Sequence, residues 1–435
     1  VPAAAALFAV AFAVRWWLRQ GLVLGDDPQE YAALLHILSN GPLFQDQLHV
    51  RFGGWIFNHL AFWLFGVSET AFLVPTMLVT ATFAVLAYAI FVRWRYGRLA
   101  AFLGGLLVAV APFELVLGSL RANDSYLEMA LAFGFAGLVL LEERPVWQGV
   151  VLAVCLWFGF YVKLWVVYAL PALGLYYLAG RRWRAATAFT VASLAIHTLT
   201  CAYWKAKTGS FTPFISIHAA NYPVPRSDLL DLFWKYPRLM LVGSFEFPIT
   251  LWGSVPYVLL VVLAVKLLGT VVRRFPPSLR LDRGDLLLLG FWGSFFLLLE
   301  FFPNGFQLDA YYSVPRIFRY LAPISFPIAL HAAKCALDVG RVRIVRVPAA
   351  AFGTTVAAAL AVLYLAQSVE ATGPSHIYRS SFQAVLSDVV AMNPPTLVAE
   401  AVVASYLRDL YLDPTKQETE VIILGDRHNA PEYEQ

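Results

Sequence analysis

Eleven stretches of this chain are apolar for long enough to cross a lipid bilayer, and that repetition constrains the fold more than any motif in it. A hydrocarbon core about 30 Å thick asks for roughly 20 apolar residues per helix, with about 17 to 25 workable. The segments lie near 2–19, 71–92, 99–118, 126–141, 146–162, 164–179, 186–204, 250–272, 286–302, 317–337 and 348–367. Those between 126 and 179 are short and closely spaced, so ten or twelve spans fit the same pattern. Of the 435 residues, 60% are hydrophobic and 14% charged, against roughly half and a quarter in soluble domains. A disordered chain is excluded, and a polytopic α-helical membrane protein is expected in place of a water-soluble enzyme. The net charge of +4 is too mild to point to nucleic acid. Cys155, Cys201 and Cys335 fall in apolar runs, which argues against a disulfide framework or a zinc cluster and for small buried side chains. Position 1 is Val, so the first run is expected to be shortened by a trimmed start. Arg15-Trp16-Trp17-Leu18-Arg19 closes that run as an interfacial anchor of aromatic and snorkelling basic residues, and no small-residue cleavage site marks it as a secretory signal.

Short loops that keep Lys and Arg stay in the cytoplasm. One alternating set of loops carries Arg93, Arg95 and Arg98; Arg144; Arg181, Arg182 and Arg184; Arg273, Arg274, Arg280 and Arg283; and Arg341, Arg343 and Arg346. The other set carries Asp26, Asp27, Glu30, Asp46, Glu69 and Asp124, together with the two long loops near 20–70 and 205–249. The N-terminus is therefore expected inside, and the long loops outside. Residues 28–39 and 52–65 have helical periodicity and interfacial aromatics, the pattern of helices lying on the outer membrane surface and roofing a cavity. Loop 205–249 alternates aromatics, prolines and charges, as a partly ordered flap would. From about residue 370 prolines and charge rise, and helix 380–391, strand 396–399, helix 400–411 and strand 420–424 read as a small αβαβ unit. So few strands are not stable alone, so the unit either leans on the membrane domain or continues past Gln435. No internal repeat or low-complexity tract is evident, which gives no support to an inverted-repeat transporter.

Four groups of residues could carry chemistry. Asp26-Asp27 opens the helix that begins Pro28-Gln29-Glu30-Tyr31. Acids and proline suit any helix start, but beside a roofed cavity a partly desolvated carboxylate also becomes a useful general base. Glu30 and Tyr31 share its helical face. Arg121 and Asp124 lie in an apolar hairpin on the same side, where they are either a capped surface turn or a paired set in a cavity. Lys163, within Trp157–Trp165, either snorkels or binds a lipid phosphate. Arg316 and Arg319, in the run Tyr311–Pro323 that also holds Tyr320, are one turn apart and suit bidentate binding of a phosphate. Basic residues on the outer side run against the orientation rule, so topology does not account for them. No two of the eight histidines have metal-ligand spacing. A divalent ion held by Asp27 and Asp124 stays open, without a complete ligand set; no other cofactor is indicated.

Taken in order, these residues resemble the GT-C glycosyltransferases that use polyprenyl-phosphate sugars. That group holds the protein O-mannosyltransferases of glycosyltransferase family 39 and the aminoarabinose transferases of lipid A. The likeness spans most of 20–180 and returns around 311–330. Asp26-Asp27 with Tyr31 matches the acidic pair and Tyr-containing helix after the first span. Phe65–Pro75 looks like the loop-to-helix joint, Tyr96–Ala101 like the cytoplasmic turn, and Arg121–Asp124 like the second outer loop. Lys163 and Arg319-Tyr320-Leu321-Ala322-Pro323 match the basic donor-side positions. No proline follows Asp124 by two positions, a departure from the family pattern.

The resemblance implies a GT-C-like membrane domain over 1–369 and a small extracytoplasmic α/β domain over 370–435. It implies an inverting transferase in a bacterial or archaeal plasma membrane, with its site facing outside. Asp27 or Asp26 would take the proton of an acceptor hydroxyl. Lys163, Arg316, Arg319 and Arg121 would bind the departing polyprenyl phosphate, Asp124 would orient the base or a metal, and Glu30, Tyr31 and Tyr320 would line the substrate site. Partners would be the polyprenyl-phosphate sugar, a lipid, glycan or protein acceptor, and membrane lipids, with no nucleic acid. A transporter or scramblase of polyprenyl-linked sugars is the alternative. It needs polar groups through the whole bilayer depth, whereas the sequence reading places them on the outer side only. A structural subunit of a cell-envelope complex is a third reading.

Overall fold

A computed structural model describes residues 2–19, 34, 36–42, 50–120, 123–212, 235–242, 251–272, 275–301, 318–342, 349–392, 396–400 and 420–424. Helices dominate: α1 (Pro2–Trp17), α2 (Phe52–Phe65), α3 (Glu69–Arg93), α4 (Arg98–Ala109), α5 (Pro112–Gly118), α6 (Asn123–Leu140), α7 (Pro145–Phe160), α8 (Leu170–Ala179), α9 (Trp183–Thr208), α10 (Lys235–Leu241), α11 (Val255–Val272), α12 (Arg283–Phe301), α13 (Ser325–Val339) and α14 (Ala349–Met392). Short 3-10 helices at Leu164–Ala169 and Phe318–Ile324 lead into α8 and α13.

Six helices among the described residues are long and apolar enough to cross a membrane, or seven if the bent pair α4–α5 forms one span. Three shorter apolar helices accompany them, at Pro2–Trp17, Pro145–Phe160 and Leu164–Ala179. The chain is thus a polytopic helical membrane protein. The segment expected to run unbroken over 99–118 instead bends by 58° between α4 and α5. A residue that precedes proline is pushed out of the helical region, and Ala111, just before Pro112, is extended at φ −59°, ψ 129°.

The break frees carbonyls in the apolar interior, and these need donors. Arg15 supplies one, giving Nη1 to Ala109 O at 3.2 Å and Nε to Thr80 Oγ1 at 2.8 Å. Arg15 is therefore fully buried, which corrects its expected role as a snorkelling anchor. Arg19 keeps that role, stacked 4.4 Å over the Trp16 ring.

Burial sorts the helices. The stretch Tyr320–Asp338 is buried along its whole length, with α13 packed against α4, α11, α12 and α14. By contrast α9 turns Val191, Leu194 and Leu199 outward, as a lipid-facing span does. α2 lies on α3 and α6, burying Asn58 and Phe62 while exposing Trp63 and Phe65. α14 has 44 residues, about 66 Å at 1.5 Å per residue and roughly twice a hydrocarbon core. Its apolar window is Phe352–Gly373, so the rest extends beyond the bilayer. After it β1 (Thr396–Glu400) and β2 (Glu420–Leu424) pair in parallel, Thr396 opposite Glu420.

Ion pairs mark one end of the bundle. Arg93 meets Glu143 at 2.7 Å, Arg182 and Arg283 both meet Glu142, and Arg341 stacks 3.7 Å over Tyr96. These turns belong to the arginine-rich set of the sequence, and they share one face of the fold. The three cysteines are free; Cys335 is buried, whereas Cys155 and Cys201 are only half-buried.

Candidate functional site

The end opposite the arginine-rich turns is built where α6 begins and α7 stops. Gly159 lets these helices close up, since a Cβ there would meet Val166 Cγ2 at 2.8 Å and Ala130 Cβ at 3.1 Å. α7 ends at Tyr161, and Lys163 follows in an extended conformation (φ −153°, ψ 140°) that turns it back toward α6. Its Nζ donates to Asp124 Oδ1 at 2.6 Å, with only 8% and 2% of the two side chains exposed. The ammonium also lies 4.7 Å from the Tyr320 ring centroid and 5.2 Å from that of Trp165. Those two rings meet edge to face at 4.2 Å. Buried ions are expensive unless paired, and ring faces add attraction for a desolvated cation.

A second layer fixes this arrangement. Tyr126, half a turn along α6 from Asp124, donates to Asn58 Oδ1 of α2 at 2.8 Å. Gly53 N donates to Tyr161 O at 3.2 Å, and Phe52 stacks on Tyr161 at 4.4 Å. A Cβ at Gly53 would meet Val162 Cγ2 at 2.8 Å, so glycine is what lets α2 lie against the Lys163 loop. A groove of about 580 Å³ runs between α2 and α3, walled by Phe57, Ala61, Leu64, Val74 and Leu78; neither Lys163 nor Asp124 lines it. Phe57 stacks on Tyr126 at 5.5 Å, which joins the groove to the site.

Three of the residues singled out from sequence, Asp124, Lys163 and Tyr320, thus converge from three distant segments. Arg319 lies next to Tyr320 in the same 3-10 helix, but its side chain is outside the described set. Asp26, Asp27, Glu30, Tyr31, Arg121 and Arg316 also lie outside the described residues.

Two further polar clusters were not read from the sequence. At the α4–α5 break, Ser325 Oγ lies 2.8 Å from Glu114 Oε1 and within hydrogen-bond distance of Glu128 Oε1, which also accepts from Phe326 N at 3.0 Å. The shared Ser325 hydroxyl thus ties the start of α13 to both α5 and α6. At the arginine-rich end Lys266, Asp285, Lys334 and Asp338 are buried together, and Tyr96 donates to Asp338 Oδ1 at 2.5 Å. His331 sits on Asp285 at 3.3 Å and accepts from Trp292. The signal was available: an ionisable residue inside a span is costly and calls for a partner. These clusters overturn the expectation that charge gathers on the outer side only.

A divalent ion at Asp124 would face the Lys163 ammonium at the same carboxylate. Among the described residues, the acid, His and Cys triads close enough to share an ion are Asp285–His331–Cys335 and Asp282–Asp285–Asp338. Lys266 and Lys334 already hold Asp285 and Asp338 there, so these groups do not suit a cation.

No protein-family model matches the sequence, and no curated protein matches it. Solved structures do match, two of ArnT among them. ArnT from Cupriavidus metallidurans in the apo state superposes with a TM-score of 0.65 at 15% identity, covering 97% of this chain and 86% of that one. ArnT from the same organism bound to undecaprenyl phosphate gives 0.59 at 16% identity, covering 93% and 84%. Identity this low speaks for the fold alone, and the chain shares the fold of these two ArnT structures.

Proposed function

We propose that this protein is an inverting glycosyltransferase that moves a sugar from a polyprenyl-phosphate donor to an acceptor hydroxyl at the outer face of the membrane. The observation that carries the reading is the Lys163–Asp124 pair beneath Tyr320, linked through Tyr126 and Phe57 to an apolar groove. A lipid-borne phosphate needs a cation held near the interface and an apolar path for its chain, and both are present. Likeness of fold to an ArnT bound to undecaprenyl phosphate supports the same donor class.

In this reading the acceptor oxygen attacks the anomeric carbon while the bond to the donor phosphate breaks. The acceptor proton passes to Asp27 or Asp26. Negative charge develops on the departing phosphate, and Lys163, with Arg316, Arg319 and Arg121, stabilises it. Asp124 holds Lys163 in place until the phosphate arrives, then shares it. The phosphate already leaves well as an anion, so one carboxylate suffices where glycosidases need two. Glu30, Tyr31 and Tyr320 line the acceptor and sugar side. Eleven spans put the N-terminus in the cytoplasm and this site outside, with loops 20–70 and 205–249 over it. Residues 370–435 then form a small unit on the same side.

The test is sugar transfer from a labelled polyprenyl-phosphate donor. Loss of general base catalysis lowers the rate about 10²- to 10⁴-fold, expected for Asp27→Asn or Asp26→Asn; wild-type rates in both variants would overturn the assignment. Transport of a polyprenyl-linked sugar remains the second reading, favoured by buried charge at three depths of the bundle. Flipping of the labelled lipid in protein-loaded vesicles, without any transfer, would select it.

A further inference from the structure

A second groove lies at the arginine-rich end, between α8 and α12, with a volume of about 620 Å³. That is ample for part of a ligand. Leu173, Leu175, Leu286 and Phe291 wall it, and Leu175 and Leu286 are 67% and 58% exposed, so it opens sideways toward lipid. Gly290 leaves its floor open, since an added Cβ there meets nothing within 4 Å. Arg182 and Arg283 stand at its mouth and converge on one carboxylate oxygen, Glu142 Oε1. Arg182 is held over the Tyr176 ring at 4.7 Å.

Two guanidiniums facing one carboxylate leave a positive excess. Their shared oxygen shows that both already point at a single acceptor. A phosphate is the same kind of acceptor, with more oxygens and more charge for a planar fork to grip. Arginines at helix ends sit at headgroup depth, where anionic lipids collect. The groove is remote from the Lys163 site, because Asp124 is in the first turn of the 18-residue α6 and Glu142 lies just past its other end, with about 24 Å of helix between them.

We propose that this groove binds an anionic phospholipid, its phosphate between Arg182 and Arg283 and an acyl chain along α8 and α12. On the orientation given above, the lipid belongs to the cytoplasmic leaflet and is neither donor nor acceptor.

The test is native mass spectrometry of the purified full chain after exchange into mixed phosphatidylglycerol and phosphatidylcholine. Wild type should retain phosphatidylglycerol selectively. R182Q/R283Q should lower that retention about thirtyfold, as expected for two interfacial cations. R283Q alone, at a residue whose side chain is 69% exposed and so not needed for folding, should lower it severalfold. G290L fills the groove while keeping both arginines and should also lose the lipid. Arg98→Gln, at an exposed arginine of another turn, should not. Equal retention by wild type, R283Q and G290L would overturn the proposal. Displacement of the lipid by free glycerol phosphate would overturn it too, by showing a site for a soluble anion.

Discussion

The two ends of the bundle bury charge in opposite ways. At the arginine-rich end, Lys334 Nζ has three protons and meets Asp282, Asp285 and Asp338 at 2.7, 2.9 and 2.8 Å. Lys266 Nζ likewise meets both oxygens of Asp285 at 2.9 and 2.8 Å and Asp338 at 2.5 Å. Asp282 and Asp285 cap the start of α12 reciprocally, each backbone N–H donating to the other carboxylate. Every ammonium proton has a carboxylate oxygen, and the network ties α11, α12 and α13 together. At the other end Lys163 is held by Asp124 and by the faces of two rings. Ring faces attract a cation without fixing where its protons point. A network closed by a carboxylate oxygen on every ammonium proton resists rearrangement, whereas contacts with ring faces tolerate reorientation of the ammonium. The first arrangement suits a joint and the second a binding site.

The largest expected effect breaks the joint. Asp285→Asn leaves two buried ammoniums short of a carboxylate, and truncating one member of a buried ion pair costs about 3–5 kcal/mol. Thermal unfolding in detergent should show that loss, while transfer per folded molecule stays at the wild-type level. A parallel fall in turnover would mean that the two ends are coupled.

The next effect breaks the site. On the proposed function, Lys163→Met removes a donor to the developing phosphate charge, a loss worth about 10²- to 10³-fold in rate. It also strands Asp124 in an apolar setting, so folding suffers. Adding Asp124→Asn removes the stranded charge, and K163M/D124N should regain stability without regaining transfer. Recovery of transfer by the double variant would make the pair structural, like the joint. Tyr320→Leu is gentler. It removes one ring face, worth about 0.5–2 kcal/mol for a desolvated cation, and should weaken donor binding severalfold in KM with little change in melting temperature.

Much of this contrast was legible in the residue order, and the illegible part has a physical cause. Apolar run length located the six described helices long enough to cross a membrane, because the bilayer fixes the ruler, but the break at Pro112 was not read from it. Asp124, Lys163 and Tyr320 stood out because each is polar or aromatic at the edge of an apolar run. Arg15 was misjudged for the same reason: at the edge of α1 it looks interfacial, and only the carbonyls freed by a distant break explain its burial. Lys266, Asp285, Lys334 and Asp338 lie within or at the ends of apolar runs, so their neutralisation depends on a pairing between helices that no single run displays. Glu114 and Glu128 share Ser325 in the same way, at sequence separations of 211 and 197 residues.

The smallest effect sharpens the comparison at the rim of the joint. Burial alone would raise the Glu142 carboxyl, but hydrogen bonds and charge from Arg182 and Arg283 outweigh it and hold it below the ordinary value. A carboxyl lowered by folding stabilises the fold above its unfolded pKa, about 4.3 for glutamate. That contribution is lost as pH falls through the lower folded value. Wild type should therefore lose more stability than Glu142→Gln between neutral pH and the acid side of that window. The difference should be modest, because 29% of the Glu142 side chain and 69% of the Arg283 side chain remain in contact with solvent, which screens the pair. The same neutral substitution frees both guanidiniums, so E142Q should retain phosphatidylglycerol at least as well as wild type. A weaker retention would mean that Glu142 orients the two arginines rather than competing for them.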